Sequence, residues 1–198
     1  MVVCLTGFSP DVVSHLPHWG GNVRWHAIER EPYDYQFSIQ QLSNATYRGV
    51  TLSIAHSQHD PGHQVELKIA GTDEQTILQL LSHCLLLPAV HDGLIGIDYA
   101  DFVTALLLAR TGVLVGSTAV DVGRTITELE GSILTAGIDP AGACATALCR
   151  SHAAIGFGPD LDLLLQYLNQ FGNDSALHLP AAVQAETSEP QTTLLILH

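Results

Sequence analysis

Gly93-Leu94-Ile95-Gly96-Ile97-Asp98-Tyr99-Ala100-Asp101-Phe102, near the midpoint of the 198-residue chain, is the stretch on which the fold assignment turns. It is an apolar run interrupted by two carboxylates, one helical turn apart. A Leu-rich segment precedes it, and Val103-Thr104-Ala105-Leu106-Leu107-Leu108 follows. Asp98 is a candidate helix cap, because its side-chain oxygen can accept a backbone N–H two or three residues on, while Asp101 favours the positive helix start. The same spacing supports a second reading, in which a rigid helix presents an acidic loop to another molecule.

Outward from this stretch, composition limits what the acids can serve. Seven Lys and Arg against twenty Asp and Glu give a formal charge of -13, so the cations that drive phosphate-backbone binding are lacking. Neither nucleic acid nor an anionic membrane is an expected partner. With 46% hydrophobic residues the chain can bury a substantial core. No apolar run reaches the roughly 18 to 20 residues that span a bilayer, and Met1-Val2-Val3-Cys4-Leu5-Thr6-Gly7 lacks the basic region of a signal peptide. A cytoplasmic location is expected. Cys4, Cys84, Cys144 and Cys149 sit in apolar surroundings without C-x-x-C spacing, which predicts reduced, buried thiols.

Upstream, residues 2–5 read as a strand that enters a turn, with a short helix from Asp11. Residues 22–29 and 37–42 are further short elements. Period-two patterns in Val50/Leu52/Ile54 and Val65/Leu67/Ile69 predict a hairpin around the polar segment 57–63. His56, His59 and His63, with Asp60 between them, have spacings that can gather imidazoles around a divalent ion. Asp60-Pro61-Gly62 is equally ordinary turn chemistry, and no metal is expected. Gly7 and Gly20-Gly21 do not form the Gly-rich strand-to-helix loop that cradles phosphate, so no nucleotide or other cofactor is expected either.

From Asp73 the pattern turns helical. Ile77, Leu78, Leu80, Leu81, Cys84 and Leu85 recur at helical spacing, predicting a helix over 73–87 that Pro88 ends or kinks. Leu85-Leu86-Leu87 makes it apolar on more than one side, as suits a helix buried between layers. Gly93 permits a sharp exit into a second helix over 99–109.

Helix, Gly-Leu-Ile, then Ile97-Asp98-Tyr99-Ala100-Asp101-Phe102 resembles the synergy loop of FtsZ, the tubulin-like division GTPase, whose pattern is approximately Gly-Leu-Ile-Asn-Val-Asp-Phe-Ala-Asp-Val. In that family the loop joins the central helix to the C-terminal domain, and its acids reach into the nucleotide pocket of the next subunit of a filament. Asp98 and Asp101 match the two acidic positions. Gly96 stands where the family has Asn, which removes a side-chain amide and implies binding before catalysis. The resemblance continues through a strand at 111–117, a helix over 121–137 with Asp121 near its start, a strand at 143–150, the Gly156-Phe157 turn, a helix over 159–171, and strands at 175–185 and 192–197. The family's Gly-Gly-Gly-Thr-Gly-Thr-Gly signature is absent, residues 1–72 are far fewer than its nucleotide-binding domain, and no counterpart of its tail is expected after His198.

The expected architecture is α/β in three parts. Residues 1–72 form a reduced N-terminal α/β part of about four strands without a nucleotide motif, 73–92 the central helix and connector, and 93–198 an α/β sandwich like the FtsZ C-terminal domain. The resemblance implies a non-catalytic interaction protein. Its contact residues would be Gly96, Asp98, Tyr99, Asp101 and Phe102, and its partner an FtsZ-like GTPase or a related protein assembly, which it would bind, cap or modulate. Two other readings stand beside it. One is a structural subunit of a homo-oligomer or larger complex. The other is a hydrolase in which Asp98 and Asp101, joined by His91, handle a proton.

Overall fold

A computed structural model describes residues 1–13, 16, 22–27, 33–40, 46–54, 63–71, 73–91, 97–152, 159–184 and 191–198. The alternating segments become strands β1 (Val2–Thr6), β2 (Arg24–His26), β3 (Tyr35–Gln40), β4 (Tyr47–Ile54) and β5 (His63–Ala70), with a short helix α1 (Pro10–Val13) after β1. Among the described residues five strands thus precede the central helix, where about four were expected. Val50, Leu52, Ile54, Val65, Leu67 and Ile69 are all buried, so the period-two reading of the hairpin holds. Its turn at 57–62, the Gly20-Gly21 pair and the Gly156-Phe157 turn lie outside the described residues.

The central helix is built from α2 (Glu74–Leu81), a π turn (Ser82–Leu86) and α3 (Leu87–Val90). Asp73 starts it. Its Oδ1 accepts the Thr76 N–H at 2.8 Å and its Oδ2 the Thr76 hydroxyl at 2.7 Å. Pro88 does not end the helix, one of the two outcomes expected of it; the irregularity falls just before it, in the π turn. A proline lacks an N–H and its ring clashes with the carbonyl four residues back. The π turn widens the helix just before Pro88, with the Leu87 N–H reaching back to the Ser82 carbonyl, so the helix continues to Val90. Ser82 through Pro88 are buried without interruption, as a helix apolar on several sides requires.

Helix α4 (Tyr99–Leu107) follows, then β6 (Thr111–Ser117), α5 (Val122–Ala136), a 3-10 turn at Pro140–Gly142, β7 (Ala145–His152), α6 (Pro159–Leu168), β8 (Leu177–Gln184) and β9 (Gln191–Leu197). All the strands join one nine-stranded sheet in the order β2-β1-β3-β4-β5-β6-β9-β7-β8. β5 and β6 run parallel, with Leu67 beside Gly112 and Ile69 beside Leu114, so the sheet is continuous across the central helix. The last strand, β9, inserts antiparallel between β6 and β7.

Two cores lie on opposite faces. On one, the central helix and α4 pack against β1, β3, β4 and β5 and the inward residues Leu114, Ala147 and Leu195. On the other, Val122, Leu129 and Ile133 of α5 and Leu164, Tyr167 and Leu168 of α6 cover Val113, Val115, Leu148 and Ile196. Gly116 permits a close approach on the first face, because a Cβ there would clash with Leu80 Cδ2. None of the four cysteines is in a disulfide; Cys4, Cys84 and Cys149 are buried and Cys144 is half-buried. No helix among the described residues is long and apolar enough to cross a membrane.

Candidate functional site

The acidic stretch enters α4 through a reciprocal capping box. Asp98 Oδ1 accepts the Asp101 N–H at 2.9 Å, and Asp101 Oδ2 accepts the Asp98 N–H at 3.1 Å. Each carboxylate therefore uses one oxygen to fix the other. Both residues are exposed, and the capping role foreseen for Asp98 is real. Asp101 does more than favour the helix start, since it closes the second half of the box.

Tyr99 turns the other way. It is half-buried, its hydroxyl donates to the Asp34 carbonyl oxygen at 3.2 Å, and its ring meets Tyr35 edge-on at 5.3 Å between centroids. Burial, with the Asp34 carboxylate nearby, pushes the Tyr99 phenol up to about 12, so it stays a proton donor. The fully buried Tyr35 phenol is raised well above its ordinary value, chiefly by desolvation and then by Tyr99 and Asp34. Phe102 is 1% exposed and lies in the core with Ala105 and Leu106. It anchors α4 from beneath and offers no surface to a partner. Gly96, like the Gly93 exit, lies outside the described residues.

Asp34 carried no signal in the local sequence. Its role rests on Val2, whose N–H it accepts through Oδ2 at 2.6 Å across the β1–β3 junction. The start of α4 is thereby tied to the ends of β1 and β3 and to the last turn of the central helix, where Ala89, Val90, Tyr99 and Asp34 border one cavity. His91, at the end of the central helix, is exposed, and its backbone N–H is engaged by the Leu87 carbonyl.

The candidate histidine cluster divides. His56 and His59 lie outside the described residues, while His63 begins β5 and bonds through Nε2 to the Ala109 carbonyl oxygen at 2.8 Å. Among the described residues no group of three or more His, Cys, Asp or Glu is placed to hold a metal. A different histidine makes the more elaborate site. His83, in the π turn, bridges two strands from inside the core: Nδ1 lies 2.9 Å from Thr193 Oγ1 and Nε2 lies 2.7 Å from Ser151 Oγ. Desolvation lowers its imidazole to about 3, which keeps it neutral. In the sequence His83 is one polar residue in a Leu-rich helix; its partners are remote strand hydroxyls, and no spacing rule connects them.

No family model matches the sequence, and no curated protein matches it. Solved structures do. An empty FtsZ dimer of M. jannaschii aligns with a TM-score of 0.54 at 15% identity, over 63% of this chain and 37% of that one. A point mutant of FtsZ from the same organism aligns over the same shares at 15% identity, with a TM-score of 0.47. The chain spans 37% of the length of these FtsZ chains, and over 63% of its own length it has the FtsZ-like α/β fold.

Proposed function

We propose that the chain is a non-catalytic FtsZ-like interaction protein of the cytoplasm, and that the acidic start of α4 docks on an FtsZ-like filament or a related assembly. The observation that carries this reading is the capping box. It holds Asp98 and Asp101 exposed and fixed relative to each other, in a chain with an FtsZ-like fold, at the positions where the sequence resembles the family's association loop. A fixed pair of carboxylates loses little conformational entropy on binding. Asp98 Oδ2 and Asp101 Oδ1 lie outside the reciprocal bonds, and they are the atoms offered to a partner.

Asn is as good an N-cap as Asp, so the double variant Asp98→Asn with Asp101→Asn removes the charge and keeps an acceptor at both positions. The test is co-sedimentation and light scattering with GTP-assembled FtsZ-like filaments. The wild-type chain is expected to pellet with filaments or change their amount, and the double variant to lose that effect with its unfolding midpoint preserved. Equal behaviour of the two chains, no effect on filaments, or clear GTP binding by this chain alone would sink the proposal.

A further inference from the structure

The cavity beside Tyr99 has a volume of about 500 Å³ and is lined by Met1, Asn22, Asp34, Ala89, Val90 and Tyr99. The geometry points to a cation-accepting pocket, filled by an arginine or lysine side chain of the protein that docks on the acidic start of α4. This deepens the docking reading and rests on it. The walls state the chemistry. Ala89, Val90 and Met1 supply an aliphatic surface of the kind that the stem of a long basic side chain covers. Tyr99 supplies an aromatic ring, held by its hydroxyl bond to Asp34 and by the edge of Tyr35.

Asp34 supplies the charge. Val2 N–H occupies its Oδ2, and among the described residues nothing occupies Oδ1. The central helix also ends here, with its negative pole toward the cavity: of its last-turn carbonyls, that of Leu87 is taken by the His91 N–H at 3.1 Å.

Other ligands fit less well. An anion would face Asp34, with Asp98 and Asp101 at the neighbouring helix start, in a chain of charge -13. A divalent metal prefers a cluster of oxygen ligands with several carboxylates, and among the described residues Asp34 is the one carboxylate lining the cavity. A cavity of about 500 Å³ is larger than one side chain, so it accommodates a basic residue with the neighbours that present it. A segment of a protein partner meets that description.

The test uses a fluorescein-labelled peptide of arginine and glycine, with a citrulline-and-glycine peptide as the neutral isostere, in fluorescence anisotropy with the full chain. The arginine peptide is expected to bind and the citrulline peptide to bind at least about tenfold more weakly. Asp34→Asn retains an acceptor for Val2 N–H and should weaken the arginine peptide about tenfold, whereas Glu130→Gln, an equal loss of charge on α5, should leave it unchanged. Tyr99→Leu should weaken it about threefold, and it decides the matter if Asp34→Asn does not fold. Equal binding of both peptides, equal loss in the Asp34 and Glu130 variants, no binding at all, or equally tight binding of free arginine amide would overturn the pocket. Filaments that pellet wild type and Asp34→Asn alike remove the pocket and leave the docking reading standing. Selective loss of the arginine peptide in Asp34→Asn, without filament binding, keeps the pocket and removes the FtsZ-like partner.

Discussion

Asp98 serves the fold before it serves any partner, and substitutions separate the two roles. Asp98→Ala removes the acceptor for the Asp101 N–H and should cost about 1 kcal/mol, read from the urea midpoint, whereas Asp98→Asn should leave that midpoint nearly in place. His83 is the more consequential residue for stability. His83→Ala leaves the Ser151 and Thr193 hydroxyls buried without their bridge and opens space beneath the π turn, so a loss of about 3 kcal/mol is expected. Its pH behaviour follows from the depressed imidazole. Between an unfolded value near 6.5 and a folded value of about 3, the unfolded chain binds a proton that the folded chain refuses. Stability is therefore greatest above pH 6.5 and falls on acidification, by up to about 1.4 kcal/mol per pH unit from this group. Asp73, lowered by its Thr76 hydrogen bonds, adds a loss in the same direction below its ordinary value of 3.8. Urea titrations across pH 7 to 4 should show the slope in wild type and a shallower one in His83→Ala.

Elements here were legible wherever their signal is local. Asp73 and Asp121 cap α2 and α5 as their positions imply, each accepting a backbone N–H three residues on at 2.8 Å. The strands with clean alternation are the ones the sequence marks best. The helix passes Pro88 without ending because a proline rule assumes α geometry on both sides, and the π turn changes that geometry for one turn. The packing of β6 makes a further testable claim. A Cβ at Gly112 would lie 2.8 Å from the Ile196 carbonyl oxygen, a backbone atom that cannot swing away, while one at Gly116 would clash with the flexible end of Leu80 and sit at an ordinary 3.5 Å from the Thr192 carbonyl oxygen. Gly112→Ala should therefore destabilise by about 1 to 3 kcal/mol and more than Gly116→Ala, measured by denaturant unfolding.

At the scale of the whole molecule, the nine-stranded sheet and the shared core bind the first five strands to everything after the central helix. Ile77, Leu81 and Leu85 share one core with Phe37, Val50 and Leu67 as well as with Ala147 and Leu195. Residues 73–198 produced alone should consequently lack fixed tertiary packing, with weak near-ultraviolet circular dichroism and a broad urea transition. The intact chain should unfold in one transition that fluorescence and circular dichroism report together. The FtsZ-like fold extends over 63% of the chain at 15% identity, so the likeness is one of fold.

The chain's sequence alone determined the periods, the caps and the two acids of the opening stretch, because each depends on neighbours within a turn or a strand. Tertiary structure decided the rest. Only the folded sheet brings Asp34 to Val2 and Tyr99, buries Phe102 while leaving Asp98 and Asp101 exposed, and sets His83 between Ser151 and Thr193. Those contacts join residues 32 to 110 positions apart, and such pairings arise from how β strands order themselves in a sheet, for which no local pattern carries the information.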